Sequence, residues 1–279
     1  MQRSRLPARV VKSPLRYPGG KSRAIAQILA QIPLNMAEYR EPMVGGGSVF
    51  LAIKSALGNH VQRYWINDLN YDLICFWRAA RDENSALVEQ ISALKRAYPD
   101  GRALWHYLQT DRSQQDDLAR AVRFFILNRI TFSGVVDSGG YSQQAFERRF
   151  TDSAVERIRK LAPKLANVHI THGDYAPLLE ANGERVFIFL DPPYWRATAS
   201  RLYGVDGVLH TTFDHLRFAE CLRDCPHQWL LTYDDSPLVR RLFSFAHISA
   251  WQLQYGMNNV GQTSAAKGNE LFIRNYARA

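Results

Sequence analysis

Hydrophobic and polar residues follow two different periods along the first part of the chain. Apolar residues recur at helical spacing over residues 21–32 and 48–57, which predicts two helices. Residues 39–44 and 61–67 are predicted to form short strands, and the first of them runs into three consecutive glycines. The resulting order of helix, strand, Gly-rich turn, helix and strand predicts the beginning of a nucleotide-binding α/β fold.

A different pattern occupies residues 71–165. Apolar residues keep helical spacing almost throughout this segment, and we find no convincing strand pattern within it. Glycines and serines interrupt the helical pattern at residues 133–142, which predicts a hairpin or an exposed loop. We therefore predict that residues 71–165 form a mostly helical subdomain inserted into an α/β domain.

The α/β pattern returns after the helical segment. The five apolar residues 186–190 form a continuous run, as expected for a central strand that is covered on both faces. Further strands are predicted at 168–171, 228–233, 247–254 and 270–276, and helices at 213–223 and 236–243. The predicted fold class is therefore α/β, a Rossmann-like sheet with helices on both faces, built from residues 1–70 and 166–279 around the helical insert.

Composition and charge narrow the possible partners. The 279 residues carry a formal net charge of +9, and such a basic chain attracts polyanions, of which nucleic acid is the commonest. An anionic membrane surface would also suit this charge, but no apolar run reaches the roughly 18 residues that a spanning helix needs. The basic segment at residues 1–23 suits either an arm that contacts phosphates or a solubilising tail. We therefore expect a nucleic acid partner and no membrane.

Cysteine usage argues against two further kinds of site. The chain has three cysteines and no Cys-x-x-Cys pair, so neither a zinc site nor a disulfide framework is expected. We predict no metal site, and buried reduced thiols fit a reducing cytoplasm.

The sharpest candidate for chemistry is Asp191-Pro192-Pro193-Tyr194, directly after the predicted central strand. A carboxylate beside a rigidly displayed aromatic ring suits a planar, amino-bearing base that is held by stacking and hydrogen bonds. Hydrogen bonds from both amino N–H groups, one to Asp191 and one to a backbone carbonyl near Pro192, would favour a more tetrahedral nitrogen. That nitrogen could then attack a sulfonium methyl directly, without a metal or a covalent enzyme intermediate. A capped Pro-Pro turn without function is the alternative interpretation.

The Gly-rich turn at residues 41–48 is a candidate cofactor site. Gly45 and Gly47 let the backbone approach a ligand closely, and the following helix offers free N–H groups. The turn is not the dinucleotide motif, because the glycine that the motif requires is replaced by Phe50. Asp68, at the end of the next predicted strand, is placed either to bind ribose hydroxyls or to cap a helix.

A third candidate ends in Gly20-Lys21-Ser22, which resembles the end of a P-loop. The upstream glycine of a P-loop would stand at position 15, which is Leu15, so an ATPase site is excluded. A Gly-Gly-Lys turn that opens a helix, with Tyr17 before it, could instead contact the methionine carboxylate of a bound cofactor.

Together these motifs resemble the Dam-type DNA adenine-N6 methyltransferases. That family runs in the order Tyr/Trp-x-Gly-Gly-Lys, Gly-rich cofactor loop, helical target-recognition insert and Asp-Pro-Pro-Tyr. The corresponding segments here are 17–21, 41–47, 71–165 and 191–194, with further matching segments at 67–74, 127–134, 173–174, 232–235 and 269–271. The resemblance covers nearly the whole chain. It implies methyl transfer from S-adenosyl-L-methionine to the exocyclic amino group of a flipped-out adenine in double-stranded DNA.

The resemblance also implies roles for individual residues. Asp191, Pro192, Pro193 and Tyr194 would be catalytic, with the Tyr194 ring stacked on the target adenine. Asp174 would bind the adenine of the cofactor. The other cofactor-binding residues would be Tyr17, Lys21, Glu41, Gly45, Gly47 and Asp68, together with Asp191.

Arginines are numerous in the insert, where they suit phosphate contacts that position DNA without reading its sequence. They are Arg112, Arg120, Arg123, Arg129, Arg148, Arg149, Arg157 and Arg159. A solvated helical face, partly paired with Asp116, Asp117 and Glu156, explains any one of them equally well. The expected DNA-binding residues are Arg123, Asn128, Arg129, Ser142, Gln143 and Arg148. Ser142, Gln143 and Gln144 are candidates for base-edge contact, because Gln can pair two-fold with adenine, although residues at a helix start also act as caps. Residues 196–210 are expected to order over the flipped base.

The segment expected to read the DNA sequence departs from relatives that act on GATC. Those relatives often continue after Asn-Arg with an aromatic-Asn-Gly-Leu stretch, whereas this chain has Phe132-Ser133-Gly134-Val135. We therefore do not assign GATC as the target.

Two other classes of function remain open. An RNA or protein-amide methyltransferase would share the cofactor site, although protein-amide enzymes typically carry Asn where Asp191 stands. A non-catalytic DNA-binding protein could have kept the fold, but intact candidate residues at 17, 21, 68 and 191 argue against such decay. We expect a cytoplasmic monomer, for which a cognate restriction endonuclease is a candidate partner.

Overall fold

A computed structural model of the protein describes residues 11–17, 19–58, 60–110, 116–136, 138–195, 213–254 and 267–277. Its strands are β1 (Glu38–Glu41), β2 (Arg63–Asp68), β3 (Val168–His172), β4 (Val186–Leu190), β5 (Gln228–Asp234), β6 (His247–Gln254) and β7 (Lys267–Arg274). They form a seven-stranded sheet in the order β3-β2-β1-β4-β5-β7-β6. Strands β1 to β5 are parallel, whereas β7 runs antiparallel to both β5 and β6.

The apolar run predicted as a central strand forms β4, and all of its residues are buried. Successive side chains of a strand point to opposite faces of the sheet. Phe187 and Phe189 accordingly join one hydrophobic core, while Val186, Ile188 and Leu190 join the other. A strand that is apolar at every position therefore requires cover on both faces of the sheet, as predicted.

Helices supply that cover. They are α1 (Ile25–Leu29), α2 (Ser48–Leu57), α3 (Tyr71–Asp82), α4 (Asn84–Ala97), α5 (Gly101–Gln109), α6 (Asp117–Ile130), α7 (Gln143–Arg149), α8 (Asp152–Arg159), α9 (Ala162–Leu165), α10 (Ala176–Glu180), α11 (His215–Asp224) and α12 (Pro237–Leu242). Helices α2 and α3 pack in the core that contains Phe187, and α10 and α11 pack in the core that contains Ile188. The Rossmann-like α/β fold is thus confirmed. Across the described residues, no helix is both long enough and apolar enough to cross a membrane.

The first predicted elements differ in their bounds. The helix expected over residues 21–32 is a 3-10 turn, Lys21–Arg23, followed by the short α1. Strand β1 begins one residue earlier than predicted, at Glu38, and is buried at all four positions. Glu38 can be buried because its carboxylate pairs with Arg40 at 2.6 Å and with Arg63 at 2.9 Å. Apolarity alone could not indicate a charged strand of this kind.

Helices α3 to α9 occupy the segment that was predicted to be a helical insert. Phe76 of α3 stacks on Phe125 of α6, with ring centroids 5.9 Å apart. The same hydrophobic core continues from these helices to the sheet. The interruption near residues 133–142 is closed as a hairpin, since Thr131 and Tyr141 form an antiparallel bridge. The division of the chain at residues 70 and 166 stays a prediction.

Candidate active site

The predicted motifs lie at the carboxyl ends of neighbouring parallel strands. Glu41 ends β1, Asp68 ends β2, and Asp191 follows β4 directly. Because β1 lies between β2 and β4, these carboxylates come together at one edge of the sheet. A cavity opens there, and it is lined by Tyr17, Gly20, Lys21, Glu41, Met43, Val44, Gly45, Gly46, Gly47, Ser48, Val49, Phe189 and Asp191.

The Gly-rich turn forms one wall of this cavity. Gly45 and Gly47 adopt left-handed backbone conformations, with φ of 46° and 65°. A Cβ atom on Gly47 would lie 2.6 Å from the Trp77 ring, and one on Gly45 would lie 2.9 Å from the Tyr17 ring. Side chains at these two positions would therefore both strain the backbone and collide with aromatic rings.

Asp68 holds the Gly-rich turn and does not line the cavity. Its carboxylate accepts the Gly45 N–H at 2.9 Å and the Asn70 N–H at 3.0 Å. Burial raises the pKa of the Asp68 carboxyl group, and these backbone hydrogen bonds oppose that rise. Its position is compatible with ribose binding, but the contacts show a residue that shapes the turn.

Glu41 is a buried acid in the cavity wall. The Tyr39 hydroxyl donates a hydrogen bond to its carboxylate. Burial raises the pKa of Glu41 well above its ordinary value, and the negative charges of Asp191 and Asp68 act in the same direction. A raised pKa favours the neutral acid, and a cationic group bound in the cavity would lower the pKa again, so Glu41 becomes negatively charged when such a ligand binds.

Lys21 joins the two halves of the Asp-Pro-Pro-Tyr motif. Its Nζ atom lies 2.7 Å from Asp191 Oδ1 and 2.8 Å from Asp191 Oδ2. The same atom donates to the Gly19 carbonyl at 2.9 Å and lies 4.8 Å from the centre of the Tyr194 ring. Lys21 is only 3% exposed, so its charge depends on these partners.

Tyr194 lies beside the cavity and is held from two sides. Its ring stacks on Tyr233 with a centroid distance of 5.6 Å and an interplanar angle of 17°. Its hydroxyl donates to Glu270 Oε2 at 2.9 Å. Tyr233 and Glu270 lie in segments that resemble the family, but the sequence predicts no role for either residue. Their contacts indicate that they support the ring.

Asp174 lies after β3, outside the cavity lining. Its carboxylate forms a two-fold ion pair with Arg217, at 2.8 and 2.9 Å. The hydrogen bonds from Arg217 lower the pKa of Asp174 below its ordinary value. Contact with the adenine of a cofactor stays a prediction for this residue.

Three predicted DNA-binding residues are buried, all on α6. Arg123 is 2% exposed, and its guanidinium donates to the Leu108 carbonyl at 2.9 Å and pairs with Asp72 at 3.3 Å. Asn128 is 1% exposed and is bonded to both the backbone N–H and the carbonyl of Arg16, at 2.8 and 2.6 Å. These side chains connect parts of the protein to each other, and their contact with DNA stays a prediction.

Arg129 is the third of these buried residues. It donates to the carbonyls of Arg149 and Pro14, at 2.8 and 3.0 Å. Burial lowers its pKa to about 9, with the nearby charges of Arg157 and Arg16 acting in the same direction. A guanidinium that is held in this way between two carbonyls is structural.

The remaining predicted DNA contacts differ in exposure. Ser142 is buried and caps α7 by accepting the Ala145 N–H at 3.2 Å, and its base contact stays a prediction. Gln143 and Arg148 are exposed on α7 and stay predictions. Of the predicted acid partners for the arginines, Glu156 pairs with Arg159 at 3.3 Å. Arg112 and residues 196–210 lie outside the described residues.

The donor set fits S-adenosyl-L-methionine and does not suit a metal. In the described ranges, no group of three His, Cys, Asp or Glu side chains could hold a metal ion. Glu41 and Asp191 offer negative charge to a sulfonium or ammonium group, and Lys21 offers positive charge to a carboxylate. The glycine wall, which a Cβ atom would obstruct, leaves room for close backbone approach.

Comparisons with known proteins identify the family of the chain. The family model of D12 class N6 adenine-specific DNA methyltransferases matches residues 17–257. The chain is 24% identical to the type II methyltransferase M1.LlaDCHI of Lactococcus lactis subsp. cremoris, over 94% of each chain. It is 28% identical to the DNA adenine methylase of Vibrio cholerae, over 84% of this chain and 86% of the relative. An rRNA methyltransferase structure from Streptomyces viridochromogenes is similar with a TM-score of 0.37, at 12% identity, over 91% of this chain and 83% of the other. The protein belongs to the D12 class of N6 adenine-specific DNA methyltransferases.

Proposed function

We propose that the protein transfers a methyl group from S-adenosyl-L-methionine to the N6 amino group of an adenine everted from double-stranded DNA. The observation that carries this proposal is the shared contact of Lys21 with both the Asp191 carboxylate and the Tyr194 ring. That contact brings together, beside the cofactor cavity, a carboxylate that can accept an amino N–H and an aromatic ring on which a base can stack. The family membership of the chain supplies the reaction and the class of substrate.

The residues around the cavity would hold the cofactor. Tyr17, Gly45 and Gly47 shape the wall, and Glu41 and Lys21 provide the charges that complement a methionine moiety. When bound, the cofactor supplies an electrophilic methyl group on a positively charged sulfur. Asp68 would contribute indirectly, since the hydrogen bond that it accepts from the Gly45 N–H fixes the turn.

Asp191 and Tyr194 would prepare the target base. An adenine amino nitrogen is a weak nucleophile because its lone pair is delocalised into the ring, and inside a duplex it is also paired. Eversion frees the amino group, and stacking on Tyr194 holds the base with about 1–3 kcal/mol. The adenine amino group would donate one N–H to Asp191 and the other to the carbonyl of Pro192 or Pro193. These two hydrogen bonds would direct the nitrogen lone pair towards the cavity.

DNA would be held by the exposed side chains of the helical segment. Gln143 and Arg148, near opposite ends of α7, are the exposed candidates for contact with DNA. We further propose that the enzyme acts as a monomer in the cytoplasm. A cognate restriction endonuclease is a candidate partner, because one relative is a type II methyltransferase.

Methylation of matched nucleic acids tests this function. The protein is incubated with methyl-labelled S-adenosyl-L-methionine and either duplex DNA or RNA of the same sequence, and the nucleosides are analysed by mass spectrometry. We expect labelled N6-methyldeoxyadenosine from DNA only. Label in RNA alone, or none in DNA when the cofactor is bound, would contradict the proposal. Base-resolution mapping on a genomic library would then identify the target sequence.

A further inference from the structure

The orientation of the Asp191 carboxylate is not fixed by its own side chain. The terminal torsion angle of an aspartate side chain can take a broad range of values, so neighbouring hydrogen bonds decide where its oxygens point. Two side chains supply such bonds. Thr232 Oγ1 lies 2.8 Å from Oδ1, whereas Lys21 Nζ spans both oxygens, at 2.7 Å from Oδ1 and 2.8 Å from Oδ2.

The Thr232 hydroxyl has a single proton and two acceptors within reach. The Leu190 carbonyl lies at 3.4 Å, whereas Asp191 Oδ1 lies at 2.8 Å and belongs to the carboxylate that pairs with Lys21. The shorter of the two hydrogen bonds is the stronger one, so the proton is directed at Asp191. Thr232 is completely buried, and its branched side chain has restricted rotation, which makes it a rigid donor.

Strand pairing places this donor. Leu231 of β5 pairs with Leu190 of β4, so the next residue of β5 lies beside the residue that follows β4. On its other side β5 is held by β7, where Thr232 pairs with Phe272. The donor therefore belongs to an interior strand and not to a loop.

The adjacent residue of β5 supports the other half of the motif. Successive strand side chains point to opposite faces, and Tyr233 accordingly lies in the core opposite to the one that contains Phe272. From that face it stacks on the Tyr194 ring at 5.6 Å. One dipeptide thus contacts both the carboxylate and the ring.

We propose that Thr232 and Tyr233 are positioning residues, which use the two faces of β5 to orient Asp191 and Tyr194 separately. This inference rests on the proposed function. Without the Thr232 hydroxyl, Lys21 is the remaining described donor to Asp191, and the carboxylate can rotate away from the base. Without the Tyr233 ring, the Tyr194 ring loses its stacking partner, while Asp191 stays in place.

Paired variants test the two roles in the full-length protein. Thr232→Val and Thr232→Ala remove the hydroxyl, and Thr232→Ser keeps it. We expect Val and Ala to lower kcat on duplex DNA about tenfold or more, since hydrogen bonds to charged groups are among the stronger ones. KM for DNA and the eversion signal of a fluorescent base analogue at the target should stay unchanged. Serine should restore kcat.

Tyr233→Leu should change the quantities that the Thr232 variants leave unchanged, with a weaker eversion signal and a higher KM for DNA. Tyr233→Phe should resemble the wild type. Circular dichroism and cofactor binding confirm the fold of each variant. Wild-type kcat in both Val and Ala variants, or a Ser variant as slow as they are, would overturn the role of Thr232. An unchanged eversion signal in Tyr233→Leu would overturn that of Tyr233. Lack of DNA methylation by the wild type would instead refute the proposed function.

Discussion

Polar residues behave differently at the sheet edge and in helix α6. At the sheet edge, Lys21, Glu41 and Asp191 line a cavity. In α6, Arg123 and Asn128 are buried and bonded to backbone groups of other segments. The comparison shows that a polar residue after a buried strand is a candidate for chemistry, whereas one within a buried helix is a candidate for structure.

The burial of α6 explains this contrast. Every residue from Ala121 to Ile130 is buried, so the helix has no solvent-facing side along this stretch. Polar side chains there must find partners inside the protein, and carbonyl oxygens at loop and helix ends are the available ones. The apolar run Phe124 to Leu127, which directly precedes Asn128, is the sequence signal that could have indicated this.

Among the substitutions that test this comparison, replacing Asp191 should have the largest effect on activity. Asp191→Asn and Asp191→Ala should abolish methyl transfer, because the base loses its charged acceptor and Lys21 loses its counter-ion. The measurement is label transfer to duplex DNA, with cofactor binding and thermal unfolding as controls. Near-normal turnover by either folded variant would remove Asp191 from the mechanism.

Replacing Asn128 should instead reduce stability. Asn128→Ala leaves the N–H and carbonyl of Arg16 without their partner, and each buried group left unsatisfied costs about 1–3 kcal/mol. The free energy of unfolding in urea measures this. Arg148→Ala, on an exposed position of α7, is the matched control and should stay within about 0.5 kcal/mol of the wild type. Equal stability of the two variants would erase the contrast between helix α6 and the surface.

Tyr194 should show a graded effect. Tyr194→Ala should weaken binding of the everted base by about 1–3 kcal/mol, the range for stacking on one aromatic side chain. Tyr194→Phe keeps the ring and loses the hydroxyl that donates to Glu270, so its effect should be smaller. The signal of a fluorescent base analogue at the target reports both, and an unchanged signal in the Ala variant counts against stacking.

Arg148 should affect DNA affinity only slightly. If it contacts a phosphate, Arg148→Ala lowers affinity equally for all sequences and reduces the salt slope of binding by about 1. Fluorescence anisotropy across a series of salt concentrations measures the slope. Arg159→Ala offers a comparison, because Arg159 is already paired with Glu156. An identical slope for wild type and Arg148→Ala would place the DNA elsewhere.

The Asp174–Arg217 pair should give the smallest effect. Because Arg217 lowers the pKa of Asp174 in the folded state, the pair stabilises the protein above the ordinary pKa of 3.8. This stability is lost as the pH falls through the lowered pKa. Both side chains are nearly half exposed, so the contribution is below about 1 kcal/mol. Arg217→Gln should therefore flatten the acid limb of the stability curve slightly, and a steeper limb would contradict the assigned direction.

Local patterns were sufficient for much of the fold and for the cavity wall. The apolar run of β4 and the glycines after β1 carry their signals within a few residues. The contacts that complete the site join distant segments: Lys21 and Asp191 are 170 positions apart, and Tyr194 and Glu270 are 76 apart. Partners such as Thr232 could not be assigned from the sequence alone, because their roles depend on strand order and register.

A crystal structure with duplex DNA and a non-reactive cofactor analogue tests the central claim most directly. The account predicts an everted adenine whose amino group donates to Asp191 and whose ring lies against Tyr194, with the analogue in the glycine-walled cavity. It would be contradicted if Asp191 and Tyr194 pointed away from the analogue's reactive centre and were packed among other side chains, with no base between them.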